Sequence, residues 1–227
     1  PDIDPVTGAV LILKYLVAYQ ILHRVAKVRP GDKVLIVGAS GGVGTAFLQL
    51  GRLAGIQMYG LASTPKHPLL AAYGATPIDY RSQDFVAEIQ RAEPDGIDFV
   101  FNGMGEEYFE PSLAVLGRGG VLVHYGGPES FVRFLLLVGK LLFYNVLPNR
   151  KSIKGYGTHR GAVASFQEDW ATLFALLKAN EIAPVIAATF PLLDAAKANT
   201  LLESGSVAGN IVLVAPEVAE SKSAHSK

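Results

Sequence analysis

The chain has 227 residues, 50% of them hydrophobic and 18% charged, with 20 Lys plus Arg against 20 Asp plus Glu. Zero formal charge offers no electrostatic footprint for nucleic acid or an anionic membrane, and the apolar content predicts a packed core rather than disorder. Cysteine is absent, which excludes disulfides, a thiol nucleophile and a cysteine-based zinc site and fits a reducing, cytoplasmic setting. The first residue is Pro1, and no charged-then-apolar leader follows it. A secretory signal is not expected, and the chain reads as a piece of something longer.

Apolar periodicity alternates along the chain. Residues 6–26 read as a long helix that ends before the Pro30–Gly31 turn. "KVLIVG" (33–38) is a short buried strand, and a helix follows from Val43 to Ala54. "IQMYGLA" (56–62) is a second strand, "KHPLLAAYG" a short helix stopped at Gly74, and "TPIDY" (76–80) a third strand. Residues 82–92 predict a helix with Ser82 as its N-cap. "IDFVFNG" (97–103), "GGVLVHYGG" (119–127) and "KSIKGYG" (151–157) are strands four to six, with the helix "YFEPSLAVLG" between the first two. Residues 165–180 form a helix with Trp170, Leu173, Phe174 and Leu177 on one stripe.

Six strands separated by helices, their apolar runs free of polar alternation, predict an α/β fold with a doubly wound parallel six-stranded Rossmann sheet. Residues 188–216 (strand, helix, turn, strand) fit that pattern poorly, and 217–227 read as a disordered tail. Phe131–Pro148 is strongly apolar, but Arg133, Gly139, Lys140 and Asn145 interrupt it. A span needs about 20 largely apolar residues, so a buried or partner-covered helix is expected there and a membrane is not.

"GASGGVG" carries Gly38, Gly41, Gly42 and Gly44 between a strand and a helix. That context suits a sharp strand-to-helix turn whose backbone N–H groups meet a pyrophosphate at the helix N-terminus. The spacing is neither GxGxxG nor a P-loop, and a ligand-free turn is the competing reading. An NAD site places an Asp or Glu at the end of the second strand, on the ribose 2′-OH. Here "GLASTPKH" (60–67) has no acid, and Ser63, Thr64 and Lys66 offer hydroxyls and a cation suited to a 2′-phosphate. NADP is favoured over NAD.

"KVRPGDKVLI", "GASGGVGTAFLQLGRLAG", "YGATPIDYR", "GIDFVFNGMG" and "GGVLVHYGG", in this order, resemble the zinc-independent quinone oxidoreductase branch of the medium-chain dehydrogenase/reductases. The resemblance runs from Asp2 to Pro216. It implies an NADPH-dependent reductase of quinones, enones or related α,β-unsaturated carbonyls, acting as a homodimer. It places Ser40, Gly41, Gly42 and Val43 on the pyrophosphate, Ser63 and Lys66 on the 2′-phosphate and Tyr80 over the adenosine phosphate side. Asn102 falls beside the ribose and nicotinamide, and Tyr125, Gly126 and Gly127 run past the nicotinamide. Where the family often has GKIVL this chain has "GNIVL", so Asn210 leaves any contact there in doubt.

The resemblance also implies a missing GroES-like catalytic domain. Residues 1–30 then form a linker helix from it, 31–187 the NADP-binding domain, and 188–216 a return segment. No catalytic residue is assigned. His23, His67, His124, His159 and His225 show no HxH or HxxxH spacing, so no metal site is expected. No GxSxG elbow is present. Tyr156 and Thr158 sit where the resemblance places groups near substrate, but an exposed loop fits them equally. The readings are the NADPH-binding domain of a quinone or enone reductase, an enoyl-reductase module, or a non-catalytic nucleotide-binding or scaffold protein.

Overall fold

The computed structural model describes residues 3–126, 131–146, 151–158 and 163–216. Gly127, His159 and the tail 217–227 lie outside them. The elements, in chain order, are α1 (Pro5–Ala26), β1 (Lys33–Val37), α2 (Gly42–Leu53), β2 (Gln57–Leu61), α3 (His67–Ala72), β3 (Thr76–Ile78), α4 (Phe85–Ala92) and β4 (Ile97–Asn102). They continue with α5 (Phe109–Val115), β5 (Leu116–Tyr125), α6 (Phe131–Val146), β6 (Ser152–Tyr156), α7 (Val163–Lys178), β7 (Ile186–Pro191), α8 (Ala195–Glu203) and β8 (Asn210–Val214).

Strands β1 to β6 form one parallel sheet in the order β3-β2-β1-β4-β5-β6. This is the doubly wound arrangement, with its switch point between β1 and β4. Apolar strand runs are required because both faces are covered. On one face α1, α2 and α7 pack Tyr15, Ile21, Phe47, Leu50 and Leu173 against Ile36, Phe101 and Val123. On the other, α4 and α5 pack Ile89, Phe109 and Leu113 against Leu35, Val37, Val100 and Leu122. Phe47 stacks on Phe101 (centroids 4.8 Å apart) and meets Tyr125 edge-on at 5.7 Å, which seats α2 over the carboxyl ends of β4 and β5.

Helix α1 is long and apolar enough to cross a membrane, yet 56% of its apolar window is buried inside the fold. Asp4 caps it by accepting from Thr7 N, and it widens into π-type turns at Leu11–Tyr15 and Ile21–Ala26. Its polar groups are tied to α7 and β6. Asp169, buried, accepts from Gln20 Nε2 at 2.7 Å and from Arg24 Nε and Nη2 at 2.8 and 2.6 Å. Tyr156 Oη donates to Gln20 Oε1 at 2.8 Å. That bond and burial make Tyr156 a brace of the fold, not a group on an exposed loop.

Two predicted details are corrected. Helix α4 starts at Phe85, and its cap is Asp84, not Ser82: the Asp84 carboxylate accepts from Val86 N and Ala87 N. Strand β3 ends at Ile78 because Asp79 turns inward to bond the loop beside it. The poor fit of 188–216 has a structural counterpart. Strands β7 and β8 pair in parallel as a separate two-stranded sheet.

Candidate functional site

The glycine loop leaves β1 through Gly38, whose φ of 75° a side chain would resist. Gly41 N donates to Gly38 O at 3.0 Å, and Gly41 is the N-cap of α2, its carbonyl accepting from Thr45 N. A Cβ on Gly44 would overlap the Gly38 carbonyl oxygen and stand 2.6 Å from the Ala39 carbonyl carbon. Close approach of helix to strand therefore demands glycine at that position. Gly41 is different. It is exposed, and a Cβ there would meet Gly38 O at 3.4 Å, an ordinary contact. The first-turn N–H groups of a helix have no partner within it, and at this end of α2 the helix dipole favours an anion.

The loop is held from far along the chain. Gly209 N donates to Ser40 O at 2.8 Å, and Asn210, buried, stands under Gly42. Asn210 N and Nδ2 both donate to Val185 O, at 2.9 and 3.0 Å. The residue that interrupts the resemblance thus braces the loop from beneath.

At the switch point, Asn102 Oδ1 accepts from Met104 N at 2.9 Å, while its Nδ2 is buried without a partner. Its neighbour across the β4–β5 ladder, His124, also buries an unpartnered Nδ1. Burial lowers the His124 pKa, opposed by the charge of Glu106. The Met104 thioether lies 3.0 Å from where a Gly38 Cβ would stand, so it covers the mouth between β1 and β4. Tyr125 is buried, which raises its pKa, and its ring lies against Gly103, leaving no space for a Cβ there. Gly126, with φ 103°, ends β5.

A second cluster forms at the carboxyl ends of β2 and β3. Ser63 is buried and Lys66 half-buried. Burial, and then the charge of Arg81, lower the Lys66 pKa. No acid stands on β2, but the neighbouring strand brings Asp79. Its carboxylate accepts from Thr64 N and Oγ1 and from Arg81 N, bonds that hold its pKa below the usual range. Tyr80 is exposed, with the Arg81 guanidinium 5.7 Å from its ring centre. Tyr108, which follows β4, lies near enough that Tyr80 contributes to raising its pKa, after burial.

The fold thus brings the predicted residues into two groups at one end of the sheet: the loop with Asn102 and Tyr125, and the Ser63–Lys66–Tyr80 cluster. Sequence reading missed Met104, Tyr108, Arg81 and the bracing role of Asn210. Only Asn210 carried a signal, as a departure from a familiar motif. Among the described residues no group of three or more His, Asp or Glu could hold a metal ion.

The profile of the zinc-binding dehydrogenase family matches residues 73–213. The chain is 30% identical over 224 residues to a synaptic vesicle membrane protein VAT-1 homolog of Rattus norvegicus, covering 91% of this chain and 55% of that protein. It is 31% identical over 218 residues to a 2-haloacrylate reductase of Burkholderia sp, covering 94% of this chain and 64% of the reductase. The native structure of mycobacterial Rv1454c complexed with NADPH superposes with a TM-score of 0.79 at 25% identity, covering 94% of this chain and 66% of that one. The chain therefore spans between about half and two thirds of the length of these proteins.

Proposed function

The chain belongs to the zinc-binding dehydrogenase family, within the medium-chain dehydrogenase/reductases, and from that premise we propose that it is the NADPH-binding part of an oxidoreductase. The hydride acceptor in this reading is a quinone or another α,β-unsaturated carbonyl. The observation that carries it is the pairing of a glycine loop at the β1–β4 switch point with a β2 end bearing hydroxyls and Lys66 in place of a carboxylate.

The residues fit such a cofactor. Gly44 admits the close helix–strand approach and exposed Gly41 leaves backbone N–H groups open, so the loop from Ser40 to Val43 would hold the pyrophosphate. Ser63 and Lys66 would take the 2′-phosphate and Tyr80 would cover the adenosine. Asn102, Tyr125 and Gly126 would border the nicotinamide, with Gly127 beyond the described residues. When bound, a nicotinamide nucleotide supplies the hydride. The chain's own part is to orient and to exclude water: Phe47 fixes Tyr125, and Met104 covers the mouth of the crevice. No step asks a side chain of this chain to ionise, and the completing proton comes from solvent or a nearby hydroxyl.

The names of the relatives support the acceptor class. A 2-haloacrylate carries a carbon–carbon double bond conjugated to a carboxylate, the kind of electrophile to which hydride adds. The homodimer and the cytoplasmic setting belong to the same proposal. The test is titration with NADPH and NADH, read by nicotinamide fluorescence, on the wild type and Lys66→Glu. Tight NADPH binding, weaker NADH binding and loss of that preference in the variant support the reading. Equal affinities, or none, overturn it. Turnover with quinones and 2-haloacrylates then tests the acceptor in the full-length protein.

A further inference from the structure

We propose that Met104 is an oxidation site, and that its conversion to the sulfoxide by a hydroperoxide weakens nucleotide binding in the crevice it covers. The inference rests on the nucleotide-binding reading above and adds a regulation of that site.

Three observations carry it. First, oxidisable sulfur in this chain is confined to 2 methionines, because cysteine is absent. Second, the fold treats the two in opposite ways. Met58, on β2, is 2% exposed, and its Sδ lies 2.6 Å from where a Cβ of Gly51 would stand, which seals it between the sheet and α2. Met104 is 50% exposed, in the loop that leaves β4. Third, Met104 is placed rather than loose. Its backbone N donates to Asn102 Oδ1 at 2.9 Å, and its Sδ and Cγ lie 3.0 and 3.1 Å from where a Cβ of Gly38 would stand. The thioether therefore rests on the glycine through which the loop leaves β1.

The chemistry is a two-electron oxygen transfer. A lone pair on Met104 Sδ attacks one oxygen of hydrogen peroxide, the O–O bond breaks and an S–O bond forms. The departing hydroxide takes the proton of the transferred oxygen and leaves as water. The sulfur is oxidised and the peroxide reduced. The product is a polar side chain in place of an apolar one. A sulfoxide dipole favours water over the face of Gly38, so the side chain is drawn off the loop and the mouth between β1 and β4 loses its apolar cover.

The probe is hydrogen peroxide, removed before any titration. Treated and untreated chains are compared by peptide mass spectrometry and by calorimetric titration with NADPH and NADH. Treatment should convert Met104 to the sulfoxide while Met58 stays a thioether. NADPH binding should weaken about 2- to 10-fold, the range of one thioether contact. Methionine sulfoxide reductases that act on both epimers should then restore it, which separates a switch from general oxidative damage. Met104→Leu, whatever affinity it starts from, should keep that affinity through the treatment. Oxidation of Met58 as fast as Met104 overturns the inference. So does a protein that carries Met104 sulfoxide with unchanged NADPH affinity, or a Met104→Leu protein that still responds to peroxide. A chain that binds NADPH and NADH alike, and loses both on oxidation, overturns the NADPH preference and upholds the role of Met104. An untreated chain that binds neither nucleotide overturns both.

Discussion

Replacing Gly44 or Gly41 by alanine makes the same chemical change three residues apart, and the structure predicts opposite consequences. At Gly44 the new methyl would overlap the Gly38 carbonyl oxygen and lie 2.6 Å from the Ala39 carbonyl carbon. Both are backbone atoms, so no rotamer change relieves the contact and α2 must lift from β1. Overpacking of this kind costs about 1–3 kcal/mol. A rigid contact belongs at the upper end, partly offset by the roughly 1 kcal/mol helix preference of alanine over glycine. A net loss of about 2 kcal/mol lowers the melting temperature by about 4–8 °C in a chain of this size. At Gly41, φ is −78° and the methyl would meet Gly38 O at 3.4 Å, so the fold accepts it. The small loss in N-cap preference is balanced by a less flexible unfolded chain. The methyl would instead stand on an exposed position of the loop proposed to hold a pyrophosphate. Thermal melts followed by circular dichroism, beside NADPH titrations, should show Gly44→Ala destabilised. Gly41→Ala should melt like wild type and bind more than tenfold more weakly. A Gly44→Ala protein as stable as wild type, or a Gly41→Ala protein that binds NADPH normally, would refute the steric reasoning.

Asp169→Ala should cost about 2–3 kcal/mol, because it strands the buried Gln20 amide, while the half-exposed Arg24 recovers water. Urea denaturation measures it, and a loss under about 0.5 kcal/mol would show that α1 is held by packing alone. Glu93 is buried at the amino end of the sheet, where it pairs with Lys33 and accepts from Tyr59 Oη at 2.6 Å and Gln57 Nε2 at 2.9 Å. The Lys33 bond leads in holding its pKa below the usual glutamate value. A depressed carboxylate contributes stability above its unfolded pKa, near about 4.3, and loses it as pH falls through the lower folded value. Wild type should therefore be more stable than Glu93→Gln at pH 7, with the gap closing below about pH 4; a gap independent of pH would contradict this origin.

What could be read in advance follows from range along the chain. The strand "VLIV", the glycines from 38 to 44 and the stop at Gly74 are local patterns, so strand order apart, the Rossmann sheet was legible. A cap is local too, but Ser82 and Asp84 both qualify by type, and the structure uses the acid. The bonds that tie the elements together beneath the site are not local. Gln20 and Asp169 are 149 positions apart, and Gln49 pairs with the backbone of Ala183 over 134. One sequence offers no signal for such pairs. The region 60–67 lacks an acid, yet Asp79 arrives there from the end of β3, because adjacency in a sheet is not adjacency in sequence.

The bond from Gly209 N to Ser40 O has a consequence in time as well as space. The strand entry that clasps the glycine loop emerges from the ribosome roughly 170 residues after it, and after every strand of the main sheet. A nascent chain can wind β1 against α2 long before that, but only with the loop unclasped. The clasp on the loop is thus made late, when the residues that enter β8 reach a turn synthesised well before them.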